Sequence, residues 1–256
     1  MSINQQMILE LDVGNTRIKW RLLAAGDLAV VGAGHVPGFE ELQRVTELET
    51  AITMARMCSV RGGEVNKQLA DWVRAKHGVE LVAAAVTQSC GGVTNQYADV
   101  NRLGIDRWLA MLAAYQRAGG ACMIIDSGTA FTVDVVNAQG LHLGGYIIPG
   151  LKLMRSSLES STAIRLSVDY AEYSEGLGHS TEEAVFNGTI TALLATIKQQ
   201  SQSLGRVGGV EIYFAGGDAE LLHRLAGLDR SAIATSLVLD GLDVACPRPE
   251  TDSGPV

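Results

Sequence analysis

Two stretches of this chain run an apolar segment into an aspartate, then one spacer, a glycine and a small hydroxyl or amide residue: Leu9-Glu-Leu-Asp12-Val13-Gly14-Asn15-Thr16 and Met123-Ile-Ile-Asp126-Ser127-Gly128-Thr129-Ala130. A strand that delivers a carboxylate into a glycine turn can hold a cation, while the turn's bare N–H groups and hydroxyls face phosphate oxygens. Two such turns facing each other would clamp a nucleoside triphosphate. A third cluster, Gly104-Ile105-Asp106-Arg107-Trp108, puts a carboxylate and a guanidinium at the start of a helical pattern. An aspartate there suits the helix dipole, but an adjacent arginine gains nothing from it. The pair is what a kinase for a small carboxylic acid would need. Arginine can engage a substrate carboxylate bidentately, and aspartate can accept the proton of an attacking hydroxyl.

A single Asp-x-Gly is common at ordinary hairpin turns. Here both copies follow a hydrophobic strand and precede alternating residues, Thr16-Arg17-Ile18-Lys19-Trp20-Arg21-Leu22 and Ala130-Phe131-Thr-Val133-Asp-Val135. That agreement implies an internal duplication. Aspartic proteases also carry a duplicated Asp-Ser/Thr-Gly loop, but Val13 stands where that chemistry wants a hydroxyl, and the helical patterns are too many for an all-β enzyme. No Gly-x-x-x-x-Gly-Lys-Ser/Thr occurs, and Gly32, Gly34 and Gly38 have the wrong spacing for a dinucleotide fingerprint.

These residues need a folded scaffold, and 256 residues with 47% hydrophobic and 19% charged side chains suffice for one large or two modest domains. No run approaches the ~18 apolar residues of a membrane span, and the N-terminal residues lack a signal peptide's basic flank, so a cytoplasmic protein is expected. The net charge of −8 argues against a nucleic-acid surface. Cys58, Cys90, Cys122 and Cys246 are scattered, with no histidine at ligand spacing, so buried free thiols are expected rather than zinc or disulfides.

Along the chain, residues 7–36 read as a three-stranded meander. Helices are expected near 39–50 and 63–77, the second with Val65, Leu69, Trp72 and Val73 on one face. Short buried strands are expected at 51–58 and 79–85, and a helix from Ile105 to about Arg117. Gly119-Gly120 marks a boundary between a first domain, 1–118, and a second, 119–247. The second half repeats the order, with strands over 121–148, a turn at Pro149-Gly150 and a helix from 151. A long helix opens with the capping-box pair Ser180 and Glu183. A strand over 210–214, the turn Ala215-Gly216-Gly217-Asp218 and a last helix through 221–225 follow. Residues 248–256 are expected to be disordered. The fold class expected is α/β, with two α/β domains flanking a nucleotide cleft.

The residues resemble a known family, the type III pantothenate kinases of the acetate-and-sugar-kinase, Hsp70 and actin superfamily. The resemblance covers Asp12-Val-Gly14-Asn15-Thr16 through Lys19, Asn95-Gln-Tyr97, Gly104-Ile-Asp106-Arg107, Asp126-Ser-Gly128-Thr129-Ala130, Gly144-Gly145-Tyr-Ile-Ile-Pro149-Gly150 and Ser180-Thr181-Glu-Glu-Ala184. It implies duplicated ribonuclease H-like, actin-like ATPase domains and ATP-dependent phosphorylation of pantothenate, the first step toward coenzyme A. By the same resemblance Asp12, Val13, Gly14, Asn15, Thr16, Arg17, Ile18 and Lys19 form the ATP phosphate loop, with Thr129 a further ATP contact. Asp106 is the proton acceptor, and Tyr97, Gly104, Ile105, Asp106, Arg107 and Thr181 hold pantothenate. Asp126 looks like the ligand of a monovalent cation, potassium or ammonium, and Asp12 is the candidate for magnesium. A homodimer is implied, with no nucleic-acid or membrane partner.

Some roles have a structural alternative. Thr181 is equally a first-turn helix residue and Tyr97 a packing residue; Asp218 after Gly216-Gly217 resembles the superfamily's adenosine-contacting turn, but a plain strand-to-helix turn explains it nearly as well, and Lys19 on an alternating strand could point to solvent. Two other functions stay open: a superfamily kinase for another small hydroxy acid or sugar, and a non-catalytic regulator on the same fold.

Overall fold

A computed structural model describes residues 6–167, 173–205 and 209–248. The chain divides into two compact units, Met1–Ala113 with Ser236–Val256, and Ala114–Thr235.

In the first unit, β1 (Met7–Val13), β2 (Ile18–Ala24) and β3 (Val30–Val36) form the antiparallel meander expected from the sequence. Then come α1 (Phe39–Leu42), β4 (Ile52–Ser59) parallel to β1, α2 (Gly63–His77) and β5 (Leu81–Ala83). The sheet order is β3-β2-β1-β4-β5. The helix expected near 39–50 is only four residues long, with a separate 3-10 turn at Thr46–Leu48. Val45 between them is extended, which ends the helix, yet Leu42 and Leu48 both reach the core. A small hairpin, β6 (Ser89–Cys90) with β7 (Val93–Thr94), leads to α3 (Ile105–Ala118).

Strand alternation sorts the two faces of this sheet. Leu9, Leu11 and Val13 of β1, with Ile18, Trp20, Leu22, Ala55 and Met57, pack under Leu69 and Val73 of α2 in one apolar cluster. The residues between them, Glu10 and Asp12 on β1 and Arg56 and Cys58 on β4, therefore face the other side.

The second unit repeats the plan. β8 (Cys122–Ser127), β9 (Ala130–Val136) and β10 (His142–Pro149) form a meander, followed by α4 (Leu151–Ser161) and α5 (Thr181–Gly205). Next are β11 (Glu211–Gly216), parallel to β8, α6 (Ala219–Ala226) and β12 (Ser231–Ile233). The order β10-β9-β8-β11-β12 matches that of the first sheet strand for strand, the signature of duplication. Its core joins Met123, Ile125, Phe131 and Val133 to Leu193, Leu194, Ile197, Phe214 and Leu222. The α5 cap forms with one shift. Ser180 Oγ accepts from the Glu183 N–H at 3.1 Å, while the Glu183 carboxylate reaches back to the His179 N–H at 2.6 Å.

The last element among the described residues is α7 (Leu237–Ala245), with no counterpart in the sequence expectations. The sequence places these residues in a second domain running to 247, whereas α7 packs on the first sheet. The buried Glu10 accepts from Arg21 and Arg56, Arg21 also reaches Asp240, and Arg56 reaches Asp243 and the Cys246 carbonyl. A Cβ at Gly241 would run into the Leu109 carbonyl of α3, so glycine lets the two helices touch. No helix among the described residues is long and apolar enough to cross a membrane. The four cysteines are free, three of them buried, and burial pushes the Cys122 thiol up to about 12.

Candidate active site

The first glycine turn joins β1 to β2. Its Gly14 N–H donates to the Arg17 carbonyl at 3.0 Å, and the Val60 N–H donates to the Val13 carbonyl at 3.1 Å. Asn15, Thr16 and Arg17 are exposed, while the Val13 and Ile18 side chains are buried in the core, so those two can offer a ligand only backbone.

Register sets the chemistry beneath this turn. Asp12 pairs with Lys19 across β1–β2 and with Cys58 across β1–β4, so the three side chains form one row over three strands. Lys19 Nζ lies 3.3 Å from Asp12 Oδ2. Lys19 thus points along the row toward the carboxylate rather than away from it. Asp12 is only 8% exposed. Burial raises its pKa above the usual carboxylate value, Lys19 pulls it back, and the charge of Asp106 pushes it up again. The Cys58 thiol is held well up by burial first, then by Asp12 and Asp106. Asp106, whose charge acts on both groups, belongs to the same first unit.

Asp106 sits in the first turn of α3, where its Oδ1 accepts from the Arg107 N–H at 2.8 Å. A Cβ on residue 104 would lie 2.7 Å from that oxygen, so Gly104 leaves the carboxylate its place. Arg107 is 8% exposed, and its guanidinium donates to the Tyr97 hydroxyl at 2.9 Å, lying over that ring at 5.9 Å. Tyr97 is therefore a partner of the arginine rather than packing alone. The fully buried Asn95 fixes its backbone, accepting from the Tyr97 N–H at 2.9 Å, and is itself held by Gln88. Asn95 was legible in the sequence only through the family pattern. Ile105 is partly exposed beside them. Asp12, Lys19, Tyr97, Gly104, Ile105, Asp106 and Arg107 thus all lie in the first unit.

The second turn joins β8 to β9 in the other unit and is built differently. Its Gly128 N–H donates to the Ala130 carbonyl at 2.9 Å, and the Gly150 N–H donates to the Thr129 carbonyl at 3.0 Å. Ser127 is fully buried; its hydroxyl donates to Asp218 at 3.0 Å, and its carbonyl accepts from the Asp218 N–H at 3.2 Å. Gly216, at φ +88°, lies so close that a Cβ would strike the Ser127 carbonyl and sit 2.7 Å from Asp126 Oδ1. Gly150 is pressed against Gly128 and Thr129 in the same way. Asp126 is half-buried and Thr129 exposed. Thr181 is an exposed residue at the start of α5, beside its Ser180 cap. The Ser127–Asp218 contact joins residues 91 apart in the chain, a link that Asp218's turn sequence did not disclose.

Each turn carries one carboxylate, the kind of group a hard cation takes. The Asp12 carboxylate is disfavoured by its own burial, and a cation beside it would offset that penalty. A Cβ on residue 216 would lie 2.7 Å from Asp126 Oδ1, so glycine there leaves that carboxylate its place.

A family model described as type III pantothenate kinase matches residues 8–203. The type III pantothenate kinase of Ectopseudomonas mendocina (strain ymp) is 40% identical over 249 residues, covering 94% of this chain and 99% of that one. That of Pseudomonas putida (strain KT2440) is 40% identical over 250 residues, again 94% and 99%. Among solved structures, a Campylobacter jejuni protein described as a Baf family transcriptional activator aligns with a TM-score of 0.59 at 19% identity, covering 92% of this chain and 95% of that one. An ethanolamine utilization protein from Carboxydothermus hydrogenoformans aligns at 0.50 and 15% identity, covering 93% and 89%. At those identities the two structures speak to the fold alone.

Proposed function

The chain belongs to the type III pantothenate kinases, and from that membership we propose that it transfers phosphate from ATP to the primary hydroxyl of pantothenate, giving 4'-phosphopantothenate and opening coenzyme A biosynthesis. The observation that carries this reading is the cluster in the first unit. There Lys19 pairs with Asp12, and at the start of α3 Asp106 is followed by Arg107, whose guanidinium is held by Tyr97.

Phosphoryl transfer has a loose transition state, so positioning and neutralisation of charge do most of the work. Arg107, steadied by Tyr97, takes the pantothenate carboxylate, with Gly104 and Ile105 lining the same turn. Asp106 Oδ1 is committed to the Arg107 N–H, which leaves Oδ2 to accept the proton of the attacking hydroxyl. The turn from Asp12 to Lys19 presents backbone N–H groups to the ATP phosphates. Asp12 would hold magnesium and Asp126 a potassium or ammonium ion, supplying the positive charge that such a transfer requires. Thr129 is an ATP contact and Thr181 a pantothenate contact in this reading.

We assign the protein to the cytoplasm, where its phosphate donor is. We also propose a homodimer. In the second unit the edge strand β10 exposes Leu143, Tyr146 and Ile147, and α4 exposes Leu153, apolar side chains of the kind that mark interfaces. Light scattering on the purified chain reads this directly, and a monomer at assay concentration would end it.

The test of the reaction is ADP release coupled to pantothenate, with potassium, ammonium or sodium as the only monovalent ion. Turnover that needs pantothenate and is supported by potassium or ammonium but poorly by sodium is expected. Turnover with another hydroxy acid or a sugar, and none with pantothenate, would overturn the substrate; equal rates in all three salts would remove the role given to Asp126.

A further inference from the structure

The turn after β4 carries an arginine that the sequence patterns do not single out. Arg61 Nη2 donates to the Asn15 carbonyl at 2.5 Å, in the middle of the Gly14-Asn15-Thr16 turn. The backbone that presents it is itself held. Ser59 Oγ donates to Asn66 Oδ1 at 2.6 Å, the Arg61 N–H donates to Ser59 Oγ at 3.2 Å, and Asn66 Nδ2 reaches the Arg61 carbonyl at 3.5 Å. The end of β4 and the first turns of α2 therefore aim this side chain at the phosphate turn.

A guanidinium carries five N–H donors in one plane and does not lose its charge. Arg61 spends one donor on a neutral carbonyl, and among the described residues no carboxylate forms an ion pair with it. Lys19, the other cation whose side chain is fixed at this turn, shares its charge with Asp12. A turn that is to receive several phosphate charges gains most from a cation that is anchored but not neutralised.

We propose that Arg61 is a further phosphate-binding residue of the nucleotide site: anchored on the Asn15 carbonyl, it directs its other N–H groups at the phosphate oxygens that the Asp12–Lys19 turn receives. The inference rests on reading that turn as the ATP phosphate loop, and it adds a contact from outside the loop.

Calorimetric titration of ATP with magnesium, without pantothenate, compares wild type with Arg61→Met and Arg61→Lys. Steady-state KM values for both substrates and thermal melts accompany it. Arg61→Met should weaken ATP binding and raise its KM by roughly tenfold or more, as loss of a charge-assisted contact does. The pantothenate KM should move less than about twofold, the melting temperature should hold, and Arg61→Lys should keep part of the affinity because a point charge remains. ATP affinity of Arg61→Met within about twofold of wild type overturns the proposal. So does a joint rise in both KM values with a lowered melting temperature, the mark of a residue that merely braces the turn. Because the titration contains no pantothenate, failure of the wild type to phosphorylate it would strike the substrate reading alone.

Discussion

The two glycine turns share a motif and a place in matching sheets, yet they are held by different forces. In the first unit the turn is open: Asn15, Thr16 and Arg17 are exposed, a Cβ at Gly14 would meet only the Arg17 carbonyl at 3.3 Å, Lys19 pairs with Asp12 beneath it, and Arg61 reaches the Asn15 carbonyl. In the second unit the turn is closed by backbone. Gly150 and Gly216 press on it where no side chain fits, and Ser127 is tied to Asp218. Duplication supplied the same carboxylate twice, after which one copy gathered reactive and charged groups and the other gathered steric support. The first is built for chemistry, the second for fixed geometry.

The largest expected effect tests the chemical half. Asp106→Asn should lower kcat by about 10²–10⁴-fold, or roughly 3–5 kcal/mol in barrier, the usual span of general-base help. Its melting temperature should stay near wild type, since among the described residues the carboxylate accepts from the neighbouring N–H and the amide oxygen can accept the same bond. A variant with near wild-type kcat would take Asp106 out of the mechanism and leave the first turn with no privileged role.

The next effect tests the steric half. Gly216→Ala must tolerate φ +88° and also push against the Ser127 carbonyl, so it should destabilise the protein by about 2–4 kcal/mol. Gly14→Ala meets a single atom at 3.3 Å and should lose no more than about 1 kcal/mol. Urea denaturation of the pair reads the difference. Equal losses would mean that the two turns are held alike, by the same forces in both units.

Much of this was legible in the residues because the signals are local. An apolar run ending in Asp-x-Gly marked both turns. Spacing at i, i+4, i+7 and i+8 gave α2 from Gly63 to His77, and Ser180 with Glu183 gave the start of α5. What escaped notice is nonlocal. The helix α7 carries Gly241 in its middle, which lowers helix propensity, and its reason lies at Leu109 across the fold. Arg61 is an ordinary turn arginine until Asn15 is found beside it, and Ser127 an ordinary spacer until Asp218 is. Near residues 39–50 the apolar spacing overstated the helix, because Leu42 and Leu48 can both be buried with extended Val45 between them.

The smallest effect concerns the charge stored at the first turn. Burial, offset by Lys19 and reinforced by Asp106, raises the folded pKa of Asp12 above its value of 3.8 in the open chain. Between those two values the folded state binds more protons than the unfolded state, so this group's contribution to stability falls as pH rises through that window. At neutral pH the native protein therefore carries an ionised Asp12 at a penalty that function explains and stability does not. Asp12→Asn removes the penalty while keeping a polar group, and its partner Lys19 is exposed enough to stay hydrated alone. The variant should be at least as stable as wild type near pH 7, with the gap closing as the pH approaches the open-chain value, while ATP-dependent turnover is lost. Denaturation curves of both proteins across that range settle it. A gap that widens toward acid, or a variant plainly weaker than wild type at neutral pH, would show that Asp12 stabilises the fold, placing the first turn under the same structural rule as the second.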